Sequence, residues 1–207
     1  MTANGLFVAF EGLDGSGQTT QSKLLAGFLK GKGADVVLTK EPTDEGVGKK
    51  IRDVLQKRAQ ASPFELQRMF VADRKEHLDS FVEPALASGK TVITDRYFFS
   101  TLAYGGIDTE LGRLREMNSA FRIPDLTFVI DVPPEVALGR VQKRLAGSGK
   151  SKNETELFEE LGKLERVREN YLKVAKLYPN VHVIDGNRPI EAVAADIRGI
   201  VSRAMEE

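Results

Sequence analysis

Residues 12–19 read Gly-Leu-Asp-Gly-Ser-Gly-Gln-Thr. They follow the short apolar run Leu6–Phe10 and open a helical pattern over Thr19–Lys32, in which Leu24, Leu25, Phe28 and Leu29 share one stripe. Glycines at this spacing between a strand and a helix let Gly12, Leu13, Asp14, Gly15, Ser16 and Gly17 turn N–H groups inward onto a phosphate. The positive end of the helix that begins near Thr19 and Thr20 points at the same anion. The Thr19 hydroxyl is placed to ligate Mg²⁺. A turn of this kind needs a buried strand in front and a helix behind, which restricts the chain to an α/β architecture.

One position departs from the G-x-x-x-x-G-K-[ST] pattern. Gln18 stands where lysine is expected. Glutamine donates a hydrogen bond but carries no charge, and a missing preorganised contact to a developing oxyanion costs about 3–4 kcal/mol of barrier. Either another cation enters the site, or phosphoryl transfer is slow or absent.

Four further apolar runs, Val36–Thr39, Thr91–Thr94, Leu126–Val132 and Val181–Ile184, read as strands buried on both faces. Helical patterns separate them. One opens at Ser62-Pro63-Phe64-Glu65, with a capping residue, a proline at the first helical position and a reciprocal glutamate, and runs to about Ala87. Others cover Pro134–Leu145, Asn153–Leu177 and Pro189–Met205. Strands alternating with helices predict a five-stranded parallel sheet with helices on both faces, in a single domain over residues 1–207. Between two of the helices, Arg140–Lys152 holds Arg140, Lys143, Arg144, Lys150 and Lys152 and no acid, around the small residues Ala146–Gly149. This is a basic, hinged loop.

The charges exclude several classes. Thirty basic residues balance thirty acidic ones, which leaves no chain-wide field to grip nucleic acid or an anionic membrane. There is no cysteine, so disulfides, cysteine-ligated metals and thiol nucleophiles are out, and a reducing cytoplasm is compatible. The two histidines, His77 and His182, lack a second histidine at ligand spacing. His77, among charged neighbours, reads as a surface residue, and His182 as one that packs in the last strand. The start Met1-Thr2-Ala3-Asn4-Gly5 has no basic region, and no apolar stretch is long enough for a membrane span.

From Phe10 to Gln21 the chain resembles the phosphate loop of thymidylate kinases. The likeness continues in order through Lys40-Glu41-Pro42, Phe70-Val71-Ala72-Asp73-Arg74, Asp95-Arg96-Tyr97 with Ser100-Thr101-Leu102-Ala103-Tyr104, and Pro124-Asp125. It implies a three-layer P-loop NTPase fold with a short lid over about residues 140–152. It also implies transfer of phosphate from ATP, with Mg²⁺, to dTMP in a cytoplasmic homodimer.

Position by position, the resemblance places Asp14 near the deoxyribose 3′-hydroxyl or a metal-bound water, Phe70 on the thymine face and Arg74 on a thymine carbonyl. A core phenylalanine and a surface ion pair are the plain alternatives for the last two. Asp95 joins Thr19 in holding Mg²⁺. Arg96 grips the phosphate of dTMP, Thr101 meets the base edge, and Tyr104 packs on the sugar. Glu41, Pro42 and Ser100 belong to the same dTMP site. A lid cation takes over from the absent lysine, Arg144 first, with Arg140, Lys143 and Lys150 behind it. Asn187, in Asp185-Gly186-Asn187-Arg188, lies beside the adenine. Two departures are Gly105, where the family often has glutamine, and Ser151-Lys152-Asn153-Glu154, where it often has an Asp-Arg pair. A kinase for another deoxynucleotide and a nucleotide-binding regulator without turnover remain as alternatives.

Overall fold

A computed structural model of the protein describes residues 5–147 and 154–206. Met1–Asn4 and the stretch Ser148–Asn153, with Lys150 and Lys152, lie outside the described residues. Five strands, β1 (Phe7–Gly12), β2 (Val36–Lys40), β3 (Thr91–Asp95), β4 (Leu126–Asp131) and β5 (Val181–Asp185), form one sheet in the order β2-β3-β1-β4-β5. Every pairing is parallel. All five lie on the expected apolar runs, but only β1, β3 and β4 are buried on both faces: β2 and β5 are the sheet edges, where Leu38 and Val183 are exposed.

Alternation along β1 explains its unbroken hydrophobicity. Phe7 and Ala9 enter one core, and Val8 and Phe10 enter the other. The Val8–Phe10 side packs on α1 (Gln18–Gly31), through Leu25 and Leu29, and on α9 (Ile190–Glu206), through Val193, Ile197 and Val201. Each such fully buried aliphatic side chain stabilises the fold by roughly 1.5–3 kcal/mol. The opposite face is covered by α5 (Phe98–Gly105), by α7 (Pro134–Ala146) and by α8 (Glu154–Ala175), the last through Leu164, Val167, Tyr171 and Val174.

Three helices fall where the sequence pattern assigns none: α2 (Gly46–Leu55), α5 and α6 (Leu111–Asn118). The segment expected as one helix to Ala87 is α3 (Pro63–His77) and α4 (Glu83–Ala87), separated by a π-helical turn at Leu78–Val82. Its start is as expected: the Glu65 N–H donates to Ser62 Oγ (3.2 Å) and the Ser62 N–H to Glu65 Oε2 (2.8 Å). Arg140, Lys143 and Arg144 sit on the last turns of α7 rather than in a loop. None of the helices described is long and apolar enough to cross a membrane.

Candidate active site

Parallel strands bring their carboxyl ends to one edge of the sheet, and register fixes what meets there. Phe10 pairs with Asp95, and Gly12 with Ile130, so the loop after β1 lies between the ends of β3 and β4. That loop is shaped by its glycines. Gly15 has φ 89°, and a Cβ there would stand 2.4 Å from the Ala137 carbonyl oxygen, so only glycine fits. Gly17 is left-handed at φ 105°, and no side chain caps the helix it precedes, leaving the first-turn amides of α1 for another acceptor. From behind, the Arg140 guanidinium donates to the carbonyls of Gly15 (3.3 Å), Ser16 (3.2 Å) and Gly186 (3.3 Å).

A cavity of about 330 Å³ opens over this loop. The loop residues Asp14–Thr20, Arg140, Arg144, Gly186, Arg188 and Ile190 are among those lining it. Asn187 is not among its lining residues; its N–H donates to Asp185 Oδ1 instead (2.9 Å). Inside, Ser16 Oγ and Gln18 Oε1 are buried without a partner. The Thr19 hydroxyl donates to Asp95 Oδ2, whereas Asp95 Oδ1 is buried and unpaired. Arg188 pairs with Asp196 and Asp185, and Arg140 is spent on carbonyls. Arg144 reaches the cavity with no ion-pair partner among the described residues.

A second cavity, about 360 Å³, adjoins the first, and Asp14 lines both. Glu41, Pro42, Phe70, Arg74, Arg96, Ser100, Thr101 and Tyr104 all face it. Arg96 stands at the junction. Its backbone is held at φ 76°, with its N–H on the Phe10 carbonyl (2.8 Å). Its Nη2 donates to Asp14 Oδ1 (2.7 Å) and its Nη1 to Ser100 Oγ (2.9 Å) and the Tyr171 hydroxyl (3.3 Å). The guanidinium also lies over the Tyr104 ring, 5.3 Å from its centroid. Burial opposes its charge, yet Tyr104, Tyr171, Asp14 and Glu11 hold the guanidinium pKa well above its ordinary value. An anion that reaches this point meets a fixed, fully charged fork.

Arg74 is not at the surface. Its side chain is 1% exposed; Nε donates to Glu41 Oε2 (2.8 Å), Nη1 to Asn118 Oδ1 (2.5 Å) and Nη2 to Thr101 Oγ1 (3.2 Å). A guanidinium has more N–H groups than these partners use, so one remains for a ligand carbonyl. His77, expected outside, is buried as well. It lies between Thr39 Oγ1 (2.7 Å) and Glu41 Oε1 (3.2 Å), one helical turn from Arg74 on the same face. His182 packs on Phe128 as expected, ring centroids 5.7 Å apart.

The family model for thymidylate kinase matches residues 10–197. The chain belongs to the thymidylate kinase family. It is 40% identical to the probable thymidylate kinase of Thermococcus gammatolerans, over 97% of this chain and 98% of that one. It is also 40% identical to the thymidylate kinase of Ruegeria pomeroyi (97% and 96%), and 41% identical to that of Dinoroseobacter shibae (95% and 96%). As the fold and the order of its motifs indicate, this is a P-loop kinase chain.

One further residue of this thymidylate kinase site, Glu11, is not marked in the sequence. Glu11, at the end of β1, is fully buried beneath Arg96. In its ionised form it accepts from the Tyr97 N–H (2.8 Å), Ser100 Oγ (2.5 Å) and the Tyr171 hydroxyl (3.1 Å), and so ties β1, α5 and α8 together under the guanidinium. Burial pushes its carboxyl up to about 7, against the Ser100 hydrogen bond, the Arg96 charge, the Tyr97 N–H and the Tyr171 hydroxyl. The folded protein therefore holds a proton that the unfolded chain has released above pH 4.5, and the stability from it is full below 4.5 and lost as pH rises through 7. Urea unfolding at pH 4.5 and at pH 7.5 is expected to show the parent losing about 3 kcal/mol more than Glu11→Gln over that interval. Equal slopes for the two proteins would refute the buried proton.

Proposed function

We propose that the protein transfers the γ-phosphoryl group of ATP to dTMP, giving ADP and dTDP, as a single catalytic domain. The observation that carries this is the convergence of the two cavities on Asp14, with Arg96 fixed at their junction. ATP lies along Gly12–Thr20, its phosphates on the loop amides and its base toward Gly186 and Ile190. dTMP enters beside Glu41-Pro42, with its base on Phe70 and near Arg74 and Thr101, its sugar against Tyr104, and its phosphate on Arg96 and Ser100. A phosphate oxygen of dTMP forms the new bond to the γ-phosphorus as the bridge to the β-phosphate breaks in line, so the chain's task is positioning and charge stabilisation. Asp14 meets the sugar hydroxyl when the dTMP phosphate takes its place on Arg96.

Thr19 and Asp95 would hold Mg²⁺. The unpaired, buried Asp95 Oδ1 beside a hydroxyl is a hard-oxygen set that suits this ion, which needs only one or two protein ligands besides phosphate and water. When bound, it screens the charge shared by the β- and γ-phosphates. The homodimer rests on the family resemblance, and sedimentation tests it. ATP as co-substrate supports a cytoplasmic setting.

The test is ADP release from ATP and Mg²⁺ with dTMP, set against dCMP, dGMP, UMP and thymidine. Preference for any other acceptor, or binding without turnover, would overturn the assignment. Arg144 replaces the absent phosphate-loop lysine. Arg144→Ala is expected to lower kcat about a hundredfold, and Gln18→Lys in that background to restore part of the loss. Turnover by Arg144→Ala equal to an active parent would remove Arg144 from this role.

A further inference from the structure

Gln67 stands on α3 three residues before Phe70 and seven before Arg74, so all three share one helical face. It lines the second cavity with them. The residue is 7% exposed, and its Oε1 is buried with no hydrogen-bond partner. An unpaired buried carbonyl oxygen is costly, and such groups in native proteins call for a ligand or water. The carboxamide is also pinned from one side. A Cβ on Gly105 would come within 2.8 Å of Gln67 Cδ, 2.9 Å of Oε1 and 3.2 Å of Nε2, so the amide lies flat on the bare backbone of α5. An alanine at 105 would have to push the carboxamide aside.

We infer that Gln67 reads the base of the monophosphate substrate, its Oε1 accepting the ring N–H of a 4-oxo pyrimidine such as thymine. This rests on the dTMP reading of the second cavity. Nearby, Arg74 is held by Glu41, Asn118 and Thr101 so that it offers only donors. A pyrimidine edge that satisfies both must present a carbonyl next to an N–H. Thymine and uracil do so. Cytosine presents an amino group next to a bare nitrogen, which sets donor against Arg74 and lone pair against Oε1. Discrimination comes from leaving buried groups unpaired, the strongest means a small site has.

The decisive measurement is kcat/KM for dTMP and dCMP with the parent, Gln67→Met, Gly105→Ala and the double variant. Gln67→Met keeps length and apolar volume but removes the accepting oxygen. It is expected to lower kcat/KM for dTMP about tenfold, mostly through KM, and to narrow the dTMP-to-dCMP ratio by at least that factor. Gly105→Ala should narrow the same ratio by displacing the carboxamide, and the double variant should be no worse than Gln67→Met alone. An unchanged ratio in Gln67→Met, or full additivity of the two substitutions, would overturn the inference while leaving the dTMP reading intact. Should Gln67→Met fail to fold, Gly105→Ala decides alone: an unchanged ratio counts against Gln67. A parent that neither binds nor phosphorylates dTMP would bring down both.

Discussion

Arg96→Ala is expected to lower kcat about a thousandfold, the loss typical of a preorganised charged donor at a site of developing charge. The physical ground is the geometry around the guanidinium. Asp14, Ser100 and Tyr171 fix its direction, and Tyr104 covers its face. Arg96→Lys should recover little of this, because an ammonium keeps the charge but not the planar fork that matches two phosphate oxygens. Alanine also inherits a backbone at φ 76°, a conformation that L-residues adopt at a cost. Steady-state kinetics with saturating ATP and dTMP, alongside thermal unfolding of each variant, separates the two effects. A decline within tenfold for Arg96→Ala would mean that the phosphate of dTMP is held elsewhere.

Arg74→Met is expected to destabilise the fold by about 3–5 kcal/mol, because it strands the Glu41 carboxylate without its cation. Both side chains are nearly inaccessible, 1% and 2% exposed, so water cannot replace the lost partner. For a chain of this size the melting temperature should fall by roughly 6–20 °C. Adding Glu41→Gln to Arg74→Met should return part of that loss, since the pair is then removed rather than broken. Differential scanning calorimetry of the two single variants and the double one checks this. A melting point for Arg74→Met within 2 °C or so of the parent, well under the shift expected for this size, would show that the buried pair contributes little.

Much of the fold is legible in the sequence because its three central strands, β1, β3 and β4, are buried on both faces. Val92 and Ile93 on β3, like Phe128 and Val129 on β4, supply both cores at once, and continuous apolarity is the trace this leaves. The short helices leave none. In α2 only Gly48 and Ile51 are buried, and in α6 only Leu114 and Asn118, too few to set a period. The opposite holds in α5, where Phe98, Phe99, Thr101, Leu102 and Ala103 are all buried and no polar face marks the turns.

At the site, the phosphate loop and the Arg96 segment are local patterns and can be read directly. Glu11 cannot, since its partners stand 86 to 160 residues along the chain. His77 misleads for a related reason. Its neighbours Lys75 and Glu76 are exposed, whereas its own face is that of Arg74, and Thr39 and Glu41, arriving from the end of β2, make that face an interior one. A charged carboxylate right after a strand, matched by an arginine and a histidine one turn apart, is the signal that could have located it.

The clasp of Arg140 on three carbonyls bears on how quickly the chain can engage its nucleotide. A bend already locked from the rear has few alternative shapes to abandon, so a polyanion arriving by diffusion finds its cradle in register and encounter leads straight to capture.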